Sequence, residues 1–283
     1  MADFDGDSNL DLAVTHSGSA GVAILLGHGD GTFDEPTMLP AIKKMTVIRA
    51  AHLDSGDTLD LVVATEKGPV FFYCGNGDGT FKMTAEDNAG GKGTRDIVVG
   101  DFNGDGFTDV AAANFKSSTV GVLFGDGNGS LIGGTAMRTG RKPVALAATD
   151  FDGDGVTELA VAHTSSEFIS IFPESAFQSG RPLEPILRIG YPGRNSPSTM
   201  AAADMDGDGR PDLVVGNQAT GSFSVLIGQG NGLFAAPVAF ELGNVPPRNP
   251  IAMAIADLNH DGLLDVVVAN RNTVDVSVVL RVV

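Results

Sequence analysis

"DMDGDGRPD", residues 204–212, places four carboxylates and two glycines in nine residues and runs straight into "LVVGN". Asp204, Asp206 and Asp208 occupy alternate positions, Gly207 and Gly209 stand between and after them, and Asp212 opens the apolar run. In an extended loop, side chains at positions 1, 3 and 5 converge, glycine at 4 and 6 lets the backbone turn at positive φ, and position 7 offers its carbonyl. Position 9 then adds a last carboxylate from the first residue of the next strand. Carboxylates held this close raise one another's pKa unless a cation neutralises them. A cage of hard oxygens suits calcium.

The pattern recurs. "DFDGDSNLDLAV" begins at Asp3, "HLDSGDTLDLVV" at His52, "DFNGDGFTDVAA" at Asp101, "DFDGDGVTELAV" at Asp150 and "DLNHDGLLDVVV" at Asp257, with start-to-start spacings of 49, 49, 49, 54 and 53 residues. A second element keeps step with it. "GHGDGTF" begins at Gly27, "GNGDGTF" at Gly75, "GDGNGSL" at Gly125 and "GQGNGLF" at Gly228, each 23 or 24 residues after its acidic loop. In the fourth copy "PESAF" stands in that place.

Between these marks lie runs of four to eight residues rich in Val, Ile, Leu and Phe, such as "VALAAT", "DLVVG" and "SFSVLIG", with no sustained helical period. Such runs, separated by Gly, Asn and Asp, are strand and hairpin signals. Each repeat therefore reads as a four-stranded antiparallel unit, and repeats of this length with four strands are propeller blades. The fold expected is all-β: residues 1–283 form a single β-propeller domain of about six blades. Residue 3 already begins an acidic loop and the last glycine turn would begin near Arg281, so the first and last units have three strands each. That gives 22 strands, and the chain reads as part of a longer chain, a fragment of a seven-bladed ring.

The first loop offers Asp3, Asp5, Asp7, the Asn9 carbonyl and Asp11 as ligands. The third offers Asp101, Asn103, Asp105, Phe107 and Asp109, and the fourth Asp150, Asp152, Asp154, Val156 and Glu158. The fifth offers Asp204, Asp206, Asp208, Arg210 and Asp212, and the sixth Asp257, Asn259, Asp261, Leu263 and Asp265. In each, the position-7 residue contributes its carbonyl. The second loop, His52 to Asp60, lacks the first acid and has Gly56 in place of the third, so it is expected to be empty or distorted. About five calcium ions would bring the formal charge from -17 to about -7. Two rivals bear on this reading. An EF-hand needs a bidentate Glu at position 12 and flanking helices, whereas position 12 here is Val215 or Ala112. Asp-Gly turns also form without any metal, because both residues favour turns.

Charge and composition narrow the function. With 35 acids against 18 bases, nucleic acid and anionic membrane are poor partners, and no apolar run approaches the ~18 residues that span a bilayer. There is no HExxH, GxSxG or CxxC. His16 and His163 both lie 13 residues after the start of their loops, where the other units have Thr65, Asn114, Asn217 and Asn270. That place reads as a strand-end hydrogen-bonding position rather than a catalytic one. The lone Cys74, in "VFFYC", reads as an inert thiol. With no Trp and only Tyr73 and Tyr191, an aromatic sugar platform is under-supported. Two segments break the repeat and could carry specificity: Phe172 to Thr199, with Arg181, Arg188, Tyr191 and Arg194, and Glu241 to Pro250.

The units "ADFDGDSNLDLAV", "VGDFNGDGFTDVAAAN" and "AADMDGDGRPDLVVGN", with the "GNGDGTF" turns, resemble FG-GAP or VCBS repeats, the calcium-binding blades of integrin α-chain heads and many bacterial surface proteins. The resemblance covers nearly the whole chain. It implies a calcium ion in the hairpin loop between the first two strands of a blade, an extracellular or cell-surface location, and a role in adhesion or in binding a protein or carbohydrate ligand. Departures are the second loop, Ser8 and His260 at glycine positions, and Glu158 at position 9. The sequence thus favours a calcium-stabilised binding module over the alternative, a lyase-like propeller enzyme acting on an acidic polysaccharide.

Overall fold

Each repeat folds as one antiparallel sheet whose strands neighbour one another in chain order. The computed structural model describes residues 1–16, 21–40, 42–166, 168–173, 175–178, 187–190, 196–243 and 248–281. Blade 1 has β1 (Leu12–His16), β2 (Gly21–Leu25) and β3 (Thr37–Met38). Blade 2 has β4 (Met45–Ala51), β5 (Asp60–Thr65), β6 (Pro69–Gly75) and β7 (Phe81–Asn88). Blade 3 has β8 (Thr94–Gly100), β9 (Asp109–Asn114), β10 (Thr119–Gly125) and β11 (Leu131–Arg138). Blade 4 has β12 (Pro143–Thr149), β13 (Glu158–His163), β14 (Phe168–Phe172) and β15 (Leu187–Gly190), with one helical turn, α1 (Ser175–Gln178), before the last. Blade 5 has β16 (Pro197–Ala203), β17 (Asp212–Asn217), β18 (Ser222–Leu226) and β19 (Val238–Glu241). Blade 6 has β20 (Pro250–Ala256), β21 (Asp265–Asn270) and β22 (Asp275–Val279). Among the described residues the strands number 22, three in the first and last sheets and four in the others, as read from the repeat.

The chain divides into two compact units, Met1–Met137 with blades 1 to 3 and Arg138–Val283 with blades 4 to 6. Within each unit successive blades stack face to face. The second strand of a blade is buried on both sides: Leu61 and Val63 of β5 join Phe4, Val22 and Ile24 of blade 1. Their neighbours Val62 and Ala64 join Ile97, Val110 and Ala112 of blade 3. This burial explains why "DLVV"-type strands are unbroken apolar runs rather than alternating ones. In the second unit Leu213 and Val215 of β17 face blade 4, while Val214 faces Val266 and Val268 of blade 6.

A bulge recurs near the start of β4, β8, β12, β16 and β20, where the register slips between Met45 and Val47, Thr94 and Asp96, Pro143 and Ala145, Pro197 and Thr199, and Pro250 and Ala252. The first residue of each pairs with the strand-end Thr65, Asn114, His163, Asn217 or Asn270. The three prolines sit at the first residue of an edge strand, where no ladder N–H is needed. In a meander the first and third connections leave the sheet at one end, so each acidic loop lies beside the glycine turn of its own blade.

Candidate metal centres

The first acid of each complete loop gathers the loop's own backbone. Asp204 accepts the N–H groups of Gly207 at 2.7 Å, Asp208 at 3.1 Å and Gly209 at 2.8 Å. Asp150 does the same with Gly153, Asp154 and Gly155 at 2.6, 3.2 and 2.8 Å, and Asp101 with Gly104, Asp105 and Gly106 at 2.7, 3.2 and 2.8 Å. Asp3 takes the N–H groups of Gly6 and Ser8, and Asp257 those of Asp261 and Gly262. The chain reaches this shape with positive φ at positions 4 and 6, including Ser8 at 70° and His260 at 61°. The fifth-position acid accepts the N–H of position 7: Asp7 from Asn9, Asp105 from Phe107, Asp154 from Val156, Asp208 from Arg210 and Asp261 from Leu263.

The ninth-position acid does something the spacing did not disclose. Asp11, Asp60, Asp109, Glu158, Asp212 and Asp265 are all fully buried. One oxygen accepts the N–H of the loop's second residue, from Phe4, Leu53, Phe102, Phe151, Met205 and Leu258 at 2.6 to 2.9 Å. The other oxygen takes the first N–H of the neighbouring glycine turn: Gly27, Gly75, Gly125 and Gly228, and in blade 6 Arg281. This acid clamps acidic loop and glycine turn together in every blade that has the turn. Blade 4 has "PESAF" instead, and there Glu158 Oε1 is buried with no hydrogen-bond partner among the described residues.

Three of the five complete loops gather acids to within 4.8 Å of one another: Asp3, Asp5 and Asp11; Asp150, Asp152, Asp154 and Glu158; and Asp204, Asp206 and Asp212. In the other four loops the fifth-position acid has a polar side chain close by. Asp7 accepts from Asn9 Nδ2 at 2.8 Å, and Asp208 lies 3.5 Å from Arg210 Nη1. Asp105 and Asp261 accept from Asn103 Nδ2 and Asn259 Nδ2 at 2.8 and 2.9 Å. Val156 offers no such side chain, and Asp154 lies within its group. Burial, then the charges of the neighbouring loop acids, pushes Asp109 up to about 6 and Glu158 up to about 7, against the pull of the N–H groups they accept. Asp212 is raised for the same reasons. The donors in these five loops are oxygens, which fit a hard divalent cation.

The second loop departs as its sequence suggests. His52 Nδ1 lies 3.0 Å from the Thr58 carbonyl and Asp54 accepts the Gly56 N–H. Asp60 keeps the clamp to Leu53 and Gly75. Sequence spacing missed the half-buried Cys74, at the end of β6, which comes within 4.8 Å of Asp54 and Asp60. Its thiol is pushed up by burial and lies 3.6 Å from Thr84 Oγ1.

Residues 53–112, 101–161 and 204–268, more than half of the chain, match the family described as FG-GAP-like repeat. The chain belongs to the FG-GAP-like repeat family. Among solved structures this FG-GAP-like chain is similar to an Agrocybe aegerita lectin that recognises non-reducing terminal N-acetylglucosamine, with a TM-score of 0.67 and 20% identity over 94% of this chain and 73% of that one. It is also similar to BBS1N in complex with ARL6DN, with a TM-score of 0.63 and 15% identity over 95% and 74%. Saccharomyces cerevisiae Sqt1 has a TM-score of 0.56 and 10% identity over 96% and 81%. At these identities the likeness is one of fold. No curated protein matches the chain.

Among the described residues no histidine joins the loops' acid groups, although His52 and His260 lie within the second and sixth loops. His163 is fully buried, with Nε2 2.6 Å from Thr139 Oγ1 and Nδ1 3.2 Å from the Phe168 carbonyl, the strand-end role expected of it. Asn217 Nδ2 reaches Ser222 and Ser224, and Asn270 Nδ2 reaches Asp275 and Ser277 from the same place in their blades. His28 pairs with Asp34 at 3.2 Å on the surface, and His16 is exposed. Of the segments that break the repeat, Arg188 lies over the Phe168 ring at 5.0 Å and Arg248 lies 3.4 Å from Asp275. Arg181, Tyr191 and Arg194 lie outside the described residues. Among the described residues no helix is long and apolar enough to cross a membrane.

Proposed function

We propose that this chain of FG-GAP-like blades is a calcium-stabilised, extracellular binding or adhesion module in which calcium holds the blade ends together and takes no part in chemistry. The observation that carries this reading is the loop of blade 4. Glu158 Oε1 is buried without a donor among the described residues, beside Asp150, Asp152 and Asp154. An unpaired buried carboxylate oxygen costs roughly 1–3 kcal/mol or more, and a divalent ion bound among the four acids supplies the missing partner and offsets their repulsion. Calcium suits this donor set better than magnesium because it accepts more oxygens and looser geometry.

At the roughly 0.1–1 mM affinity of extracellular modules, each site saturated tenfold adds ~1.4 kcal/mol of stability, which makes the fold depend on its surroundings. A protein or a carbohydrate is the ligand class to screen, the second because a structure of similar fold is a lectin. Calorimetric titration tests the metal reading: wild type takes up about five ions, and Glu158→Gln takes up one fewer. Equal stoichiometry in the two contradicts the assignment. Glycan and extracellular-protein arrays probed in calcium and in EDTA test the role, and no calcium-dependent ligand on either contradicts it.

A further inference from the structure

The basic residues of blades 2 and 3 gather at the blade ends remote from the acidic loops. Lys43 and Lys44 precede β4, Lys67 follows β5, Lys92 and Arg95 flank the start of β8, and Lys116 follows β9. These are six of the eight Lys and Arg residues in Met1–Met137. Backbone hydrogen bonds join their connections into one ridge. The Glu66 N–H donates to the Lys44 carbonyl at 2.9 Å, the Gly93 N–H to the Glu66 carbonyl at 2.7 Å and the Lys116 N–H to the Lys92 carbonyl at 3.1 Å. Gly68, at φ 119°, brings the turn of blade 2 against blade 3: a Cβ there would lie 2.1 Å from the Gly91 oxygen. All four strands of both blades are described, so the ridge is not a sheet edge.

The ridge holds more cations than its own acids engage. Glu66 lies 3.3 Å from Lys44 Nζ and 2.6 Å from Lys116 Nζ, and both lysines remain more than half exposed. Asp96 is held by Arg49 at 2.7 Å, and Glu86 and Asp87 stand on the outer strand β7. Lys43, Lys67 and Lys92 are exposed and have no ion-pair partner among the described residues. In a chain of net charge -17, a polyanion is repelled by the acidic loops and admitted here.

The rest of the ridge narrows the kind of anion. A protein partner needs an apolar or aromatic anchor at the centre of its contact, and among the described residues these connections expose no large apolar side chain. Single-stranded nucleic acid needs rings on which bases stack, whereas Phe115 is covered by Arg95, whose Cζ lies 5.1 Å from the ring centre. A sugar chain needs neither. Its hydroxyls can meet turn carbonyls and the exposed Ser117, and its separated acid groups suit lysines, which act as point charges rather than bidentate forks.

We propose that the basic ridge of blades 2 and 3 binds an anionic polysaccharide, with Lys67 and Lys92, on adjoining connections, as the principal contacts. This rests on the carbohydrate-binding role proposed above and specifies the charge of the carbohydrate and the face that takes it.

The probes are fluorescent heparin and polygalacturonate oligosaccharides, sulfated and carboxylated respectively, with neutral dextran and a short DNA duplex as comparisons, read by anisotropy in about 2 mM calcium. At least one charged oligosaccharide should bind saturably, more tightly than the duplex, while dextran should not bind. Its affinity should fall at least about tenfold between about 50 and 200 mM salt. Lys67→Glu and Lys92→Glu should each raise Kd about fivefold, and together about twentyfold. Lys82→Glu, the same charge change on β7 next to the glycine turn, should leave Kd unchanged, and all three variants should unfold at the wild-type midpoint. The proposal is overturned by no saturable binding of either oligosaccharide up to about 1 mM, by equal effects of Lys67→Glu and Lys82→Glu, by a duplex bound as tightly, or by self-association that occupies the ridge. A neutral glycan or a protein captured on the arrays would then keep the binding module without this ridge, and no ligand of any kind would remove both.

Discussion

His163 should make this protein lose stability in mild acid, and replacing it should remove that loss. The ring is fully buried, donates Nδ1–H to the Phe168 carbonyl and accepts from the Thr139 hydroxyl at Nε2. A Cβ on Gly140 would come within 2.7 Å of the ring, so the backbone there packs directly against it. Burial, helped by the charge of Arg188 and opposed by the Phe168 hydrogen bond, lowers its pKa from 6.5 to about 4. The unfolded chain takes up this proton near pH 6.5 and the folded chain only near pH 4, so the neutral ring's contribution is complete above 6.5 and drains away between 6.5 and 4. The difference corresponds to about 3 kcal/mol. His163→Asn, the residue native at Asn114, Asn217 and Asn270, should cost about 1–2 kcal/mol at pH 7.5 through a lost hydrogen bond and ring. Its deficit should shrink as the pH falls and reverse near pH 5. Urea unfolding of both proteins in EDTA from pH 7.5 to 4.5 measures this, since the titrating acids are common to both and cancel. Parallel stability curves would refute the reasoning.

Two further outcomes follow from the loops. His260→Gly relieves a side chain at φ 61° and should stabilise the protein by about 0.5–1 kcal/mol in urea unfolding; a loss of stability would mean the His260 ring makes a needed contact. Asp60→Asn breaks the clamp in the blade whose loop lacks the first acid, leaving one buried N–H facing an amide, and should cost about 3 kcal/mol equally in calcium and in EDTA. A cost seen only in calcium would make Asp60 a metal ligand instead.

The repeat made much of this legible. The loop spacing fixed the six sheets and their 22 strands, and the aligned place of His163, Thr65 and the three asparagines marked it as a strand-end position. Less legible was anything set by contact between segments distant in sequence. Position 9 reads from spacing as a ligand, but its hydrogen bond to a glycine turn 15 or 16 residues on makes it a clamp as well. Cys74 joins Asp54 and Asp60 because the end of the third strand lies beside the acidic loop, a juxtaposition of the sheet. The contact of Asp208 with Arg210 involves a side chain that the pattern treats only as a carbonyl.

Thermal unfolding of the purified chain in excess EDTA and in about 2 mM calcium, with bound ions counted by native mass spectrometry, tests the acidic loops most directly. About five ions and a rise of at least about 10 °C in the unfolding midpoint are expected, given a few kcal/mol of linked binding energy. No bound calcium and an unchanged midpoint would leave the Asp-Gly loops as turns closed by their own hydrogen bonds and would contradict the calcium reading.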